Sequence, residues 1–284
     1  MSYTLLLAVS LSCVSQAAAD RDAQAKLDAG WLKVCQSHAE DYVIYPTAEP
    51  KEKFKLLPNP VFRHSQPVRG DDIGGVWLWV REDGRPAVIG TVFAYSLRVL
   101  PPGKRNVAHE FHSLATVPLT ANWRTRQQWA PAKAGIEWKP IPDAPVAAES
   151  TTKRLLQMRQ LSRRFHAYSI GEGGRWELRL IPKPIYVYDM KDAGAVLGGC
   201  LFAICQGTDP EIILGMEARR DGENYRWHYA CASFTDYELH VRLDDTEIPA
   251  LPRGRYNDRT DPHWWIGDLE TTKLPEEKPS TLQR

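Results

Sequence analysis

Between Asp20 and Tyr45 the apolar positions Leu27, Trp31, Val34, Cys35, His38 and Tyr42 recur at helical spacing, which predicts a helix over residues 21–45 with one buried stripe, ended by Pro46. Pro58 and Pro60 then introduce extended chain. The runs Val76-Trp77-Leu78-Trp79-Val80 and Ala87 to Tyr95 flank the turn signal Glu82-Asp83-Gly84-Arg85 and read as a hairpin. Centring its turn between Asp83 and Gly84 pairs Leu78 with Ile89 and Trp77 with Gly90. Both faces are then apolar, so the hairpin belongs inside the fold. A third strand, roughly Arg105 to Thr116, follows Pro101-Pro102-Gly103.

Four prolines, Pro131, Pro140, Pro142 and Pro145, give residues 131–149 the composition of a linker. Ser150 or Thr151 caps the next predicted helix, 150–168, whose buried stripe is Leu155, Met158, Leu161, Phe165 and Tyr168. Lys153, Arg154, Arg159, Arg163 and Arg164 fall on its other faces, as on a solvated helix. Strands near Arg175 to Ile181 and Ile185 to Tyr188 follow the turn Gly171-Glu172-Gly173-Gly174. No repeat or low-complexity tract interrupts the chain.

From 200 to 244, turns at Gly207 to Pro210, at Arg220 to Glu223 and near Thr235 predict a four-stranded meander. Folding about those centres puts Leu201, Ala203, Cys205, Ile212, Leu214, Met216, Tyr225, Trp227, Tyr229, Cys231, Leu239, Val241 and Leu243 on one face, as core. Glu211, Glu217, Arg219, Arg226, His228, Glu238, His240, Arg242 and Asp244 take the other, half-wet face, with Phe202, Ile204 and Ile213 at one end.

The first nineteen residues carry no charged side chain, are apolar from Leu5 to Val14 and end in Ala17-Ala18-Ala19. This is the pattern of a secretory leader with a small-residue cleavage site, although only the terminal amine supplies the usual basic start. The apolar run is short for a membrane span, and Ser10 stands where a lipoprotein signal at Cys13 wants leucine. A mature chain beginning near Asp20 is expected, with no transmembrane anchor and a periplasmic, envelope or extracellular location.

The chain has 284 residues and a formal charge of +1, so no nucleic acid or other polyanion is implied as a partner. Ten Trp, eleven Tyr and twenty-one Pro favour sheets with many turns over a helical bundle. Of five cysteines, Cys35, Cys200, Cys205 and Cys231 would remain after processing, a number that permits disulfides in an oxidising compartment. In the register above, Cys205 and Cys231 lie two strands apart, about 10 Å, too far to bridge.

Candidate chemistry is thin. His109-Glu110-Phe111-His112 is no zinc-protease motif, because on a strand Glu110 and His112 share one face while His109 takes the other. Either the pair finishes a sheet edge or it belongs to a site. Ala167-Tyr168-Ser169-Ile170-Gly171 imitates a nucleophile elbow, but a helix precedes it and a Gly-rich turn follows, the reverse of what an elbow needs.

On the meander, Arg226 falls opposite Glu217 and Asp244, with His228 and His240 as diagonal neighbours. These residues are either ordinary cross-strand charge pairs or, with Glu238, a shallow pocket for an acidic or sugar-like ligand or for acid-base work. Asp258, Asp261, His263, Trp264 and Trp265 form a late acidic and aromatic cluster that either caps a ligand or pins the tail. No P-loop, dinucleotide glycine pattern, paired CxxC or haem motif occurs, so no cofactor and no metal is expected.

Asn59-Pro60-Val61 with Pro67-Val68-Arg69-Gly70, the His109 to Leu114 strand, Leu180-Ile181-Pro182-Lys183-Pro184-Ile185-Tyr186, and Gln206 to Glu211 with Glu217-Ala218-Arg219-Arg220 resemble a family of uncharacterised exported proteins of planctomycete bacteria. The resemblance spans residues 59 to about 245. It implies export and one continuous unit, and brings no activity, cofactor or catalytic residue.

The readings combine into an α+β chain dominated by antiparallel sheet, with two main helices and a C-terminal four-stranded meander. Residues 1–19 form the leader, 20–266 one body (20–130, linker 131–149, 150–266) and 267–284 a flexible tail. The leading functional reading is a secreted, non-catalytic binding or interaction protein whose partner is a small polar ligand or an envelope component. The alternative is a secreted hydrolase working with a Glu/His pair on a sheet face, either Glu110 and His112 or the meander's His and Glu residues, with His228 and His240 as its histidines. Convergence of those four residues on one concave pocket separates the two. Glu217, Arg226, Glu238, Trp264 and Trp265 are the binding candidates.

Overall fold

The computed structural model describes residues 3–66, 71–171, 173–190, 194–249, 251 and 255–274. Pro67 to Gly70, Glu172 of the glycine-rich turn and the tail from residue 275 lie outside the described residues.

In chain order, α1 (Tyr3–Glu40) leads into β1 (Tyr42–Pro46), β2 (Lys55–Leu56), β3 (Phe62–Gln66), β4 (Asp72–Val80), β5 (Pro86–Tyr95), β6 (Lys104–Ser113), β7 (Leu119–Trp123), β8 (Arg126–Trp129) and β9 (Lys139–Pro140). Beyond α2 (Thr151–Ser162) come β10 (Phe165–Gly171), β11 (Gly174–Leu180), β12 (Tyr186–Asp189), β13 (Val196–Gln206), β14 (Asp209–Asp221), β15 (Asn224–Ser233), β16 (Glu238–Leu243), β17 (Thr246–Glu247), β18 (Arg255–Tyr256) and β19 (His263–Lys273). The protein is α+β and sheet-dominated, with antiparallel pairing except where β18 runs parallel to β19.

The first sheet is ordered β18-β19-β6-β5-β4-β2, with β3 also on β4. The hairpin β4–β5 has the expected register, Leu78 opposite Ile89 and Trp77 opposite Gly90. Because strand side chains alternate, Trp77 and Trp79 enter one core while Val76, Leu78 and Val80 enter another, and every residue from Ile73 to Val80 is buried. The outer core is closed by the α1 stripe Trp31, Cys35 and Ala39 and by the small sheet β1-β7-β8.

The second sheet is ordered β17-β16-β10-β11-β13-β14-β15-β9, with β12 also on β13. Its inner face meets the first sheet, packing Leu201, Ala203, Ile213 and Ala232 against Val76, Leu78, Ile89 and Leu114. Its outer face, with Phe202, Leu214, Met216 and Trp227, is covered by Met158 and Leu161 of α2 and by Phe165, Leu239 and Val241 as the sheet curls over.

Both helices are shorter at their C-terminal ends than the pattern predicts. Tyr42 and Ile44 alternate into the outer core from β1, and Phe165 and Ala167 alternate into the far core from β10. In each case aromatic and β-branched residues after the helix satisfy a period of two as well as one of 3.6, and strand pairing decides. Arg154, assigned to a solvated face, is buried on α2. Its guanidinium bonds Asp189 at 2.7 Å and the carbonyls of Ala148 and Glu149.

The meander holds for three strands only. Glu238–Leu243 does not return to β15 but pairs with β10 and β17 at the opposite end of the sheet, and β9 from the linker takes the place beside β15. A bulge between Ile204 and Cys205 slips β13 by one residue against β14, so Ile204 faces Ile212 and Phe202 faces Leu214. The slip moves Leu201, Ala203 and Cys205 to the face between the sheets and Phe202 and Ile204 to the far core.

Between β14 and β15 the residues divide between two faces as expected, but the face expected to be half wet is buried from Glu211 to Glu217, and the pairing is shifted by two: Glu217 lies opposite His228, and Arg226 opposite Arg219. Cys35, Cys200, Cys205 and Cys231 are all free, and burial pushes each thiol above its ordinary range. The expected tail is ordered as far as Lys273, since β19 continues after a bulge and pairs Glu270 to Lys273 with Val107 to Lys104. That pairing covers an edge of β6 that would otherwise present unmet backbone groups.

A candidate ligand pocket between the sheets

On β14 the side chains of Met216 and Ala218 point to the far core, so Ile213, Gly215 and Glu217 point between the sheets. A carboxylate there faces the first sheet rather than water, and Glu217 is 2% exposed. The tip of the β4–β5 hairpin supplies its partner. Gly84, with φ of 87°, turns the chain there, and Arg85 reaches across to bond Glu217 through Nε at 3.2 Å and Nη2 at 2.9 Å. Arg219 adds a 2.7 Å bond from Nη1, and the Tyr188 hydroxyl of β12 donates at 2.8 Å.

Tyr188 lies over Gly199, which sits opposite Glu217 in the ladder. A Cβ on Gly199 would come within 2.5 Å of the tyrosine oxygen, so glycine is required for that approach. The Glu217 charge holds Arg85 in its guanidinium form, and burial together with that charge pushes the Tyr188 phenol well above its ordinary range.

Beside this ion group lies a cavity of about 60 Å³. Arg81, Arg85, Thr116 and Glu217 supply its polar lining, while Leu114, Ile136, Trp138, Leu201, Ile213 and Ala232 make the rest apolar. The space exists because β14 and β15 place small residues opposite each other, Gly215 against Ala230, with Trp138 of the linker laid over Gly215. Arg81 also lines a broad open groove of about 1340 Å³, walled by Lys51, Lys53 and Lys55 among acidic Glu49, Glu52, Glu82 and Asp83. Cavity and groove therefore adjoin at the hairpin tip.

The structure scatters the residues proposed for catalysis. His228 lies on β15 opposite Pro140, with Nδ1 on the Arg226 carbonyl at 3.2 Å. His240 is on β16 at the other end of the sheet. It is bracketed by Glu247 at 2.7 Å and Glu238 at 2.9 Å and stacked on Tyr168 at 4.5 Å, and the Glu247 bond is the main reason its pKa is raised. Arg226 pairs with Asp221 at 2.6 Å, and Asp244 pairs with Arg164 at 2.7 Å, so neither makes the contact expected of it.

Glu110 and His112 do share a face, and His263 joins them. Its Nε2 lies 2.7 Å from Glu110 Oε1, and its ring stacks on His112 at 5.7 Å. His112 places Nδ1 on the Ser233 carbonyl at 3.0 Å and Nε2 on that of Gly135 at 2.9 Å, tying the first sheet to β15 and the linker. Burial pushes His112 and His263 down to about 4, so both are neutral near pH 7 and shut away from solvent. This group is a pin between the halves. Trp264 is core against Phe111, and Trp265 meets Tyr256 edge-on at 4.6 Å, both from a strand rather than a loop.

Sequence reasoning missed Arg85, Tyr188 and Trp138, which complete the pocket, and a buried chain on the far side of β6. There Tyr42 bonds His109 at 2.7 Å, His109 bonds His38 at 3.0 Å, and His38 lies 3.8 Å from Glu270. The signals were partial: the hairpin tip placed Arg85 at the end of a turn without saying what it faces, and the helical stripe held His38 and Tyr42 without showing that His109 meets them.

Among the described residues no group of three or more His, Cys, Asp or Glu side chains could hold a metal, and no helix is long and apolar enough to cross a membrane. No family model, curated protein or solved structure matches this chain.

Proposed function

We propose that the protein is an exported, non-catalytic binding protein of the bacterial envelope, and that the cavity beside Arg85 and Glu217 takes a small polar ligand. The observation that carries this reading is a hollow lined from both sheets and the linker, with charge at one end and apolar walls at the other, as small-ligand sites are built. The reading is non-catalytic because Glu217 already accepts from Arg85, Arg219 and Tyr188, so it offers no free base, and among the described residues no nucleophile–base pair lines the cavity.

Export rests on the uncharged leader and its small-residue end, and on the resemblance to exported planctomycete proteins. The described buried positions of α1, Trp31, Cys35, His38 and Ala39, all follow Asp20, so cleavage there would cost none of these contacts.

Ligand-observed NMR with a library of small polar fragments tests the binding reading on the wild type and on Ala230→Val, which fills the hollow. Hits lost in the variant support it. An empty screen, or hits that persist unchanged in Ala230→Val, overturns it.

A further inference from the structure

The cavity is asymmetric along β14. Glu217 and Ile213 are four residues apart, about 13 Å on a strand, and Arg85 and Arg81 gather at the Glu217 end while Ile213, Ala232 and Leu114 close the other. The cavity's own lining carries two guanidiniums, Arg81 and Arg85, against one carboxylate, Glu217, while Glu49, Glu52, Glu82 and Asp83 lie on the groove side of Arg81. One positive charge is left over.

The bonds Arg85 makes among the described residues use Nε and Nη2, which leaves Nη1 free to donate. Arg85 is also the partly exposed member of its ion pair, with 26% of its side chain open to solvent, so the polar end is the mouth. The cavity as a whole is small: at about 15 Å³ for each water-sized sphere, about 60 Å³ admits about four heavy atoms.

We propose that the pocket binds a short-chain monocarboxylate, with its three- or four-carbon tail inserted between Leu201, Ile213 and Ala232 and its carboxylate held at the mouth by Arg81 and Arg85. The proposal rests on the cavity being a ligand site and adds the ligand's charge, length and orientation. A carboxylate matches the planar fork of a guanidinium, and a single charge matches the single excess. A cationic ligand of the same size would put its charge beside Arg81 and Arg85, and a longer chain would exceed the floor.

Butyrate, butylammonium and 1-butanol, titrated in turn into the full-length protein while the Trp138 indole N–H resonance is followed, form the test. Saturable movement with butyrate and weaker or no movement with the other two is expected. Octanoate should bind less tightly than butyrate. Arg81→Gln, which leaves the Arg85–Glu217 pair intact, should weaken butyrate about tenfold, and Ala230→Val should abolish the effect.

Binding of butylammonium or butanol without butyrate overturns the carboxylate assignment while leaving the cavity a ligand site. Full butyrate affinity in Arg81→Gln overturns the assignment of the head group to Arg81. If none of the three moves the resonance, the short-chain carboxylate is overturned, and the fragment screen on the wild type and Ala230→Val separately decides whether the cavity is a ligand site.

Discussion

Arg85 and Glu217 are 132 residues apart in the chain and meet through three hydrogen bonds, one from Nε and two from Nη2, with the carboxylate buried between two sheets. The pair joins the tip of one hairpin to the middle of a strand in the other half, so it fixes how the sheets sit on each other as well as the mouth of the cavity.

Removing one partner leaves charge without compensation in a place that water reaches poorly. Glu217→Gln should cost about 2 to 4 kcal/mol, because Arg85 and Arg219 then face a neutral amide. Arg85→Met should cost less, about 1 to 3 kcal/mol, since Arg219 and Tyr188 still hold the carboxylate. Denaturant melts of both variants and the double mutant measure the coupling, expected above about 1 kcal/mol. Simple additivity would show that the pair does not hold the sheets together.

Trp227 is 1% exposed in the far core, and His240 lies on the outer surface of β16. Trp227→Ala should cost about 3 to 5 kcal/mol and His240→Ala no more than about 1 kcal/mol. Because the pKa of His240 is raised in the folded state, its contribution is complete below its ordinary value of 6.5 and is lost as pH rises through the folded value. The gap between wild type and His240→Ala should therefore shrink on going from pH 6 to alkaline solution. A gap that grows with pH reverses the sign and overturns the role assigned to Glu238 and Glu247.

His64, His112 and His263 behave oppositely. Burial holds each at about 4, so between 6.5 and 4 the unfolded chain takes up protons that the folded chain refuses. Stability should fall across that window by up to about 1.4 kcal/mol per pH unit for each histidine. His64→Asn should flatten the dependence by one histidine's share. Melts from pH 7 to 4 give both slopes, and a stability that stays level down to pH 4 contradicts neutral burial.

Export predicts that terminal sequencing of the protein recovered outside the cytoplasm begins at or near Asp20. A mature protein that keeps Leu5 to Val14 removes the leader from the account.

By itself, the sequence determined what depends on neighbours along the chain. Alternation of apolar residues on either side of Asp83-Gly84 gave the β4–β5 register and its burial on both faces, because a tight turn leaves its strands few ways to pair. Helical spacing gave the positions of Trp31, Cys35 and Met158 in the core.

Only the tertiary structure decided the rest. Where Tyr42 and Phe165 leave their helices was settled by strands far along the chain, and the bulge at Ile204–Cys205 reversed the faces of β13 with no residue to announce it. The candidate site was legible only in part: Glu217 was named, but on a wet face, because nothing local to β14 shows that another sheet lies over it. Arg85, Tyr188 and Trp138 come from a hairpin tip, a short strand and a linker, and long-range burial rather than any spacing in sequence brings them to one carboxylate and one hollow.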